Sequence, residues 1–410
     1  MRHIVVAAVV LLLGAMGPQV RTESPFAPLW FLGVLLLVAY SFGRLFENLG
    51  MPSTVGWFLA GLLVGETGLQ LLLPKEFVVL NLLRDATLAW IVFHVALHFY
   101  PFSRLDKRMA LSIILSTIII VLTVSVGVWF IMELPWQVSV LIGAISALWG
   151  PFSGKPIPQR LSAVEIGGAG GLLSLLIFLL VVVYLSSIGW LAYEAERYVG
   201  RFVFSMCLGG ISGYVVSHFN LMPRTLKGLL SGIFGVCLLI SAVFQIFNLY
   251  VLPFVISASM VVSREKSWKR RLNTLHSKVG IFPYLFYFGL IGSFLNLRHI
   301  VKPFDGVITV LGITTIAIFI FRGLWMNAVS KVEFASKVGG ISPDVFSRGV
   351  LTFEILMPSG FIFFDTISIE NAQMVMEFVT IDIFLFLVVY MLFIRSVQLL
   401  LRSGDGSLIN

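Results

Sequence analysis

Two ionisable side chains sit in apolar runs where a bilayer would make them costly. They are Arg322, midway along "TTIAIFIFRGLWM", and Glu354, in "VLTFEILMPSGF". An arginine keeps its charge in practice, so in such a place it must meet an anion, a carbonyl or water. Glu354, four residues before Pro358, is the acid that matches it in type. Three chemistries are open: a structural Arg322–Glu354 ion pair, an anionic ligand or lipid head group facing Arg322, or a proton carried by Glu354. His94 and His98, four apart on one helical face, have the spacing of a metal pair. No acidic or cysteine cluster accompanies them, so a helix contact is expected and no metal. Arg84 and Asp85 read as an interfacial pair near the start of a span, and Asp365 and Asp382 as polar contacts. Cys207 and Cys237 lie in apolar stretches and read as inert thiols. The run "GGAGG", residues 167–171, lacks the lysine and hydroxyl of a phosphate loop. No nucleophile–base pair stands out, so no enzyme is expected, and no cofactor follows.

The elements that must hold these residues are apolar helices. The chain has 410 residues, 58% hydrophobic and only 12% charged, against about a quarter charged in soluble domains. Many uncharged windows reach the ~20 residues that a bilayer requires. The expectation is an all-α polytopic membrane protein, with spans near 28–48, 53–73, 78–99, 109–132, 136–154, 165–192, 199–219, 225–243, 246–263, 281–297, 305–328, 345–366 and 376–401. Residues 1–24 resemble a signal peptide or a short extra helix, with Arg2 ahead of a brief apolar core. A first span starting outside puts Arg104, Lys107 and Arg108, then Arg224 and Lys227, then the basic run Ser263 to Lys278 on the cytoplasmic side. The carboxyl tail, 403–410, falls there too. The net charge of +8 is therefore a loop signature and not one of nucleic-acid binding. The basic run 263–280 divides the chain into 25–262 and 281–402, and Trp268 among its cations suits an amphipathic segment on an anionic lipid surface.

The stretch "FGRLFENLGMPSTVGWFLAGLLVGETGL", Phe42 to Leu69, has Pro52 in a turn and then Gly56, Gly61, Gly65 and Gly68. Small residues at such intervals let helices approach closely in lipid. The stretch resembles the opening of the monovalent cation:proton antiporters of the sodium/proton exchanger and potassium-efflux type, with Glu66 where that family usually has proline. "LIGAISALWGPFSGKPIP" resembles the family's interrupted span, "IFIFRGLWMNAVSK" the span with a buried basic residue, and "VLTFEILMPSGFIFF" the near-terminal broken span. The resemblance covers about Pro25 to Arg402. It implies two inverted repeats of crossing discontinuous helices, a homodimer, a monovalent cation or proton as cargo, and residence in a bacterial inner membrane. It also implies a transport site around Ser146, Trp149, Gly170, Gly171, Ser174, Arg322 and Glu354. In transporting members the acidic residue or pair falls where this chain has Gly170 and Gly171. No acidic residue occurs anywhere from Ile166 to Ala192. The resemblance thus carries two expectations: a solute or cation exchanger whose ordinary sodium and potassium exchange is lost, or a non-transporting scaffold, sensor or subunit that keeps the fold.

Overall fold

Leucine, isoleucine, valine and phenylalanine, interrupted by glycine and proline, fold into helices joined by short turns in the described structure. The computed structural model describes residues 27–48, 53–65, 67–71, 77–97, 107–133, 135–147, 194–219, 226–247, 249–279 and 281–294, with isolated positions at 177–184 and 312–317. In chain order the helices are α1 (Ala27–Asn48), α2 (Ser53–Val64), α3 (Phe77–Ala96), α4 (Lys107–Met132), α5 (Trp136–Ser146), α6 (Glu194–His218), α7 (Leu226–Ile246), α8 (Val251–Val262), α9 (Lys266–Val279) and α10 (Ile281–Phe294). Among the described residues there is no strand. Ala27–Asn48 and Ile114–Ile131 are each long and apolar enough to cross a membrane.

Several expected spans are corrected at their ends. The span expected over 53–73 stops as a helix at Val64. The amides of Leu69, Gln70 and Leu71 turn back onto the carbonyls of Leu63, Gly65 and Val64 at 2.8, 2.9 and 3.1 Å, which caps the helix and consumes its last acceptors. Gln70 takes φ 53° in this turn, a left-handed conformation that suits glycine. Gln70→Gly is therefore expected to stabilise the protein by up to about 1 kcal/mol, read as a higher melting temperature in detergent; an unchanged or lower value would show that the side chain compensates. The helix expected from 199 begins at Glu194, and the one expected from 246 begins only at Val251, after Tyr250 in extended conformation. Pro253 and Pro283 each sit in a first turn, where a missing amide leaves no partner behind.

The described helices divide into two compact units. In the first, α1, α2 and the Tyr284–Phe294 part of α10 meet at glycines. A Cβ on Gly56 would fall on the backbone of Phe42, and one on Gly43 on the Trp57 indole. A Cβ on Gly61 would meet the Gly289 carbonyl oxygen, and one on Gly292 the Phe58 carbonyl oxygen. The expected small-residue face is thus a backbone-to-backbone crossing. Arg84, half-buried at the end of this unit's share of α3, holds its guanidinium 5.9 Å from the centre of the Phe294 ring.

The second unit contains the rest of α3 and α4 to α9. Helices α6 and α8 run in parallel and in step. The Tyr250 amide donates to Ser205 Oγ at 3.2 Å, Ser257 Oγ donates to the Met206 carbonyl at 2.7 Å, and Ser217 Oγ lies 3.5 Å from Glu265 Oε2. Ser259 Oγ also reaches the Phe93 carbonyl at 2.6 Å, so the ends of α3, α6 and α8 lie together. Helix α9 covers that end. Trp90 and His94 of α3 with Leu97 just past its end, Ile233 of α7, and Leu272 and Leu275 of α9 line a small cavity there. The helix ends that flank the expected cytoplasmic loops thus share one end of the unit.

The outer faces are as apolar as the inner ones. On α4, Leu111, Ile118, Leu122, Val126 and Trp129 are exposed, whereas Thr117, Val121, Val124 and Val128 on the other face are buried. A helix that is apolar all round belongs in the core of a large protein or in lipid. With half of these residues exposed, lipid is the solvent that fits.

Candidate transport site

Helix α5 is the expected interrupted span, and its described length is 11 residues. At 1.5 Å per residue that is about 16 Å, roughly half of a hydrocarbon core. The helix ends at Ser146, whose side chain is 0% exposed and whose Oγ has no hydrogen-bond partner among the described residues. Carbonyl groups at a helix C-terminus carry partial negative charge, so this end favours a cation.

Helix α4 supplies the wall. Gly143 of α5 lies against Ser125 Oγ and the Val121 carbonyl, close enough that a Cβ would collide with both. Ser125 Oγ donates to its own helix at Val121, 2.6 Å away, which leaves its lone pairs toward α5. Thr117 and Ser139 are buried as well, the latter donating to the Pro135 carbonyl at 3.2 Å. Neither α4 nor α5 contains an acidic residue. Among these residues the site offers neutral oxygens and a helix end, with no fixed negative charge.

No protein-family model matches the chain, and no curated protein sequence does. Among solved structures, the sodium/proton antiporter MjNhaP1 from Methanocaldococcus jannaschii is similar with a TM-score of 0.60 at 16% sequence identity. The match covers 89% of this chain and 96% of that one. The fold is that of a sodium/proton antiporter. The likeness that the sequence motifs suggested thus holds at the level of architecture. The expected all-helical organisation agrees with that antiporter fold, whereas the span count and the inverted repeats rest on the sequence alone.

Within the antiporter fold, Ser146 is the one expected site residue that the described structure reaches. Trp149, Gly170, Gly171, Ser174, Arg322 and Glu354 lie outside the described residues, as does His98. His94 is buried in the cavity beneath α9, and the described residues contain no group of acidic, histidine and cysteine ligands that could hold a metal. The buried hydroxyls of α4 are not foreseen from the sequence. Their signal is Thr117 and Ser125 on the same face as Val121, yet serine and threonine are so common in apolar helices that spacing alone gives them no role. Trp268 is also corrected in its setting. It is 2% exposed and packs inward, with the Arg271 guanidinium 5.6 Å from its ring, and does not lie on the outer surface of α9.

Proposed function

We propose that this chain is an integral membrane transporter of the cation:proton antiporter type in which ordinary sodium and potassium exchange is lost. The observation that carries the reading is a mismatch. An antiporter fold spans nearly the whole chain, while Ile166 to Ala192 and the buried face of α4 and α5 hold no carboxylate. Carbonyl and hydroxyl oxygens can coordinate a dehydrated cation, but they cannot take up a proton in its place, so exchange of a cation against protons needs a titratable group at the site. An arginine retained at position 322 would add repulsion. The cargo is therefore a solute exchanged against protons whose hydrogen bonding suits neutral oxygens. The proposed transport site comprises Ser146, Trp149, Gly170, Gly171, Ser174, Arg322 and Glu354, in two inverted repeats of a homodimer with a cytoplasmic carboxyl end.

A second reading is favoured by the same missing acids: a scaffold, sensor or complex subunit that keeps the fold and moves nothing. The two separate in everted vesicles carrying a pH-sensitive quenched dye. Pulses of sodium, potassium and lithium are expected to give dequenching no larger than that of vesicles lacking the protein. Robust dequenching with any of the three overturns the proposed loss of exchange. A proton-coupled response to some other solute supports the transporter, and silence toward every solute tested leaves the scaffold as the reading.

A further inference from the structure

Helix α9 turns its apolar face to the protein. Trp268, Leu272 and Leu275, spaced at one helical face, are all buried. What is described as outward is mostly cationic: Arg264 just before the helix, and Arg270, Arg271 and Lys278 within it, are exposed, beside Glu265 and Thr274. From Arg264 to Lys278 the chain holds six lysines and arginines against one acid, Glu265. A helix docked in this way cannot sink into hydrocarbon, since it has no apolar face left to sink.

Its depth follows from its neighbour. Ser217 near the end of α6 lies 3.5 Å from Glu265, so the last turn of α6 and the start of α9 share a level. That turn displays aromatic side chains outward. Tyr214 stacks on His218 with ring centres 5.4 Å apart, Phe219 meets His218 edge-on at 5.2 Å, and both Tyr214 and Phe219 are exposed. Tyrosine and tryptophan on the outside of a membrane helix mark the boundary between hydrocarbon and head groups, and exposed Tyr214 places that boundary here. The cations of α9 begin at that boundary.

From these positions we infer that the exposed face of α9 binds the anionic head groups of the surrounding leaflet, holding phospholipid without inserting into it. Each basic residue close to an anionic membrane surface strengthens attraction roughly fivefold, and the effect fades within a Debye length. Lipid charge then bears on the helix that closes the α3, α6 and α8 end of the second unit. The inference rests only on the chain's residence in a membrane, so it stands or falls independently of whether any ion is exchanged.

The test is hydrogen–deuterium exchange of residues 264–279 in the intact protein. It is run in nanodiscs of phosphatidylcholine alone and in nanodiscs of phosphatidylcholine mixed with phosphatidylglycerol. Slower exchange with phosphatidylglycerol is expected, by tenfold or more at low salt. The slowing should disappear at high salt and in the combined variant R264Q/R270Q/R271Q/K278Q, and persist in R270K/R271K. These residues are exposed, so the neutral variant is expected to fold. If it does not, the wild-type protein in nanodiscs containing a cationic lipid serves instead, where exchange should be no slower than in phosphatidylcholine alone. Equal exchange in neutral and anionic lipid, or slowing that survives neutralisation or salt, overturns the inference. Equal slowing by inorganic polyphosphate in detergent, with no response to lipid charge, overturns the lipid as partner and points to a soluble polyanion.

Discussion

Valine in place of Gly61 is expected to abolish stable folding, and valine in place of Gly292 to do the same. At both positions the new Cβ would land on backbone, the Gly289 carbonyl oxygen in the first case and the Phe58 carbonyl oxygen in the second. A flexible side chain could move aside, but a carbonyl committed to its own helix cannot. The helices would have to separate, and close contact is what holds them in lipid, where no hydrophobic driving force brings one helix to another. Ordinary overpacking costs about 1–3 kcal/mol. Prying apart two backbones along a shared face is expected to exceed about 4 kcal/mol, which a marginally stable fold does not survive. The control is Gly33, on the same α1 that packs on α2. Nothing lies within 4 Å of where its Cβ would be. Gly33→Ala removes a helix-weakening glycine at no steric cost and is expected to raise stability by about 0.5–1 kcal/mol. Thermal unfolding and size-exclusion profiles in detergent read both. A well-folded Gly61→Val protein would show that the α2–α10 crossing is looser than the structure has it.

That α2 packs closely on other helices is legible in the amino-acid sequence because the signal is categorical, whereas its α10 partner is not. Glycines at 56 and 61 in an apolar helix, with Gly65 just past its end, leave gaps that other helices fill in lipid, Gly56 against α1 and Gly61 and Gly65 against α10. The helical class is legible for a similar reason, since nothing but closed hydrogen bonding satisfies a backbone in hydrocarbon. The end of α2 is not. Hydropathy continues through Leu71, Leu72 and Leu73, while the helix stops at Val64 because a turn captures its carbonyls, and turns of this kind are invisible to hydropathy. The setting of Trp268 escapes the sequence for a different reason. A tryptophan among cations fits a membrane surface and a docked helix equally well; only the fold decides, and here it buries Trp268 on the same face of α9 as Leu272 and Leu275. Of the candidate site, an interruption is expected from the motif "LIGAISALWGPF", in which Gly150-Pro151 announces a break, but the helix already ends at Ser146, short of the span expected to 154. The hydroxyl wall of α4 does not, because a buried serine takes its role only from what faces it.

Arg322 and Glu354 give the sharpest test of what became of the missing acids. If the two form a structural pair, removing either one strands a charge in the bilayer, and each single change, Arg322→Ala or Glu354→Gln, should cost on the order of 3–5 kcal/mol. Removing both leaves no stranded charge, so the double variant should fold better than either single one, with a coupling energy of a few kcal/mol in a double-mutant cycle. A transport role for Glu354 makes a different prediction. Glu354→Gln would then unfold nothing, since a neutral amide replaces a carboxyl that must itself become neutral to deliver its proton, and the loss would appear only as abolished proton coupling. An anion held by Arg322 gives a third pattern: Arg322→Ala costs stability that Glu354→Gln neither shares nor rescues, and added ligand stabilises the wild type alone. Melting temperatures of the four proteins in one detergent, read beside the vesicle assay, separate these patterns. The expected result is the first, with strong rescue in the double variant. A Glu354→Gln protein as stable as the wild type but without proton coupling would dissolve the pair and return Glu354 to the ion pathway, and with it a route for exchange that Gly170 and Gly171 cannot supply.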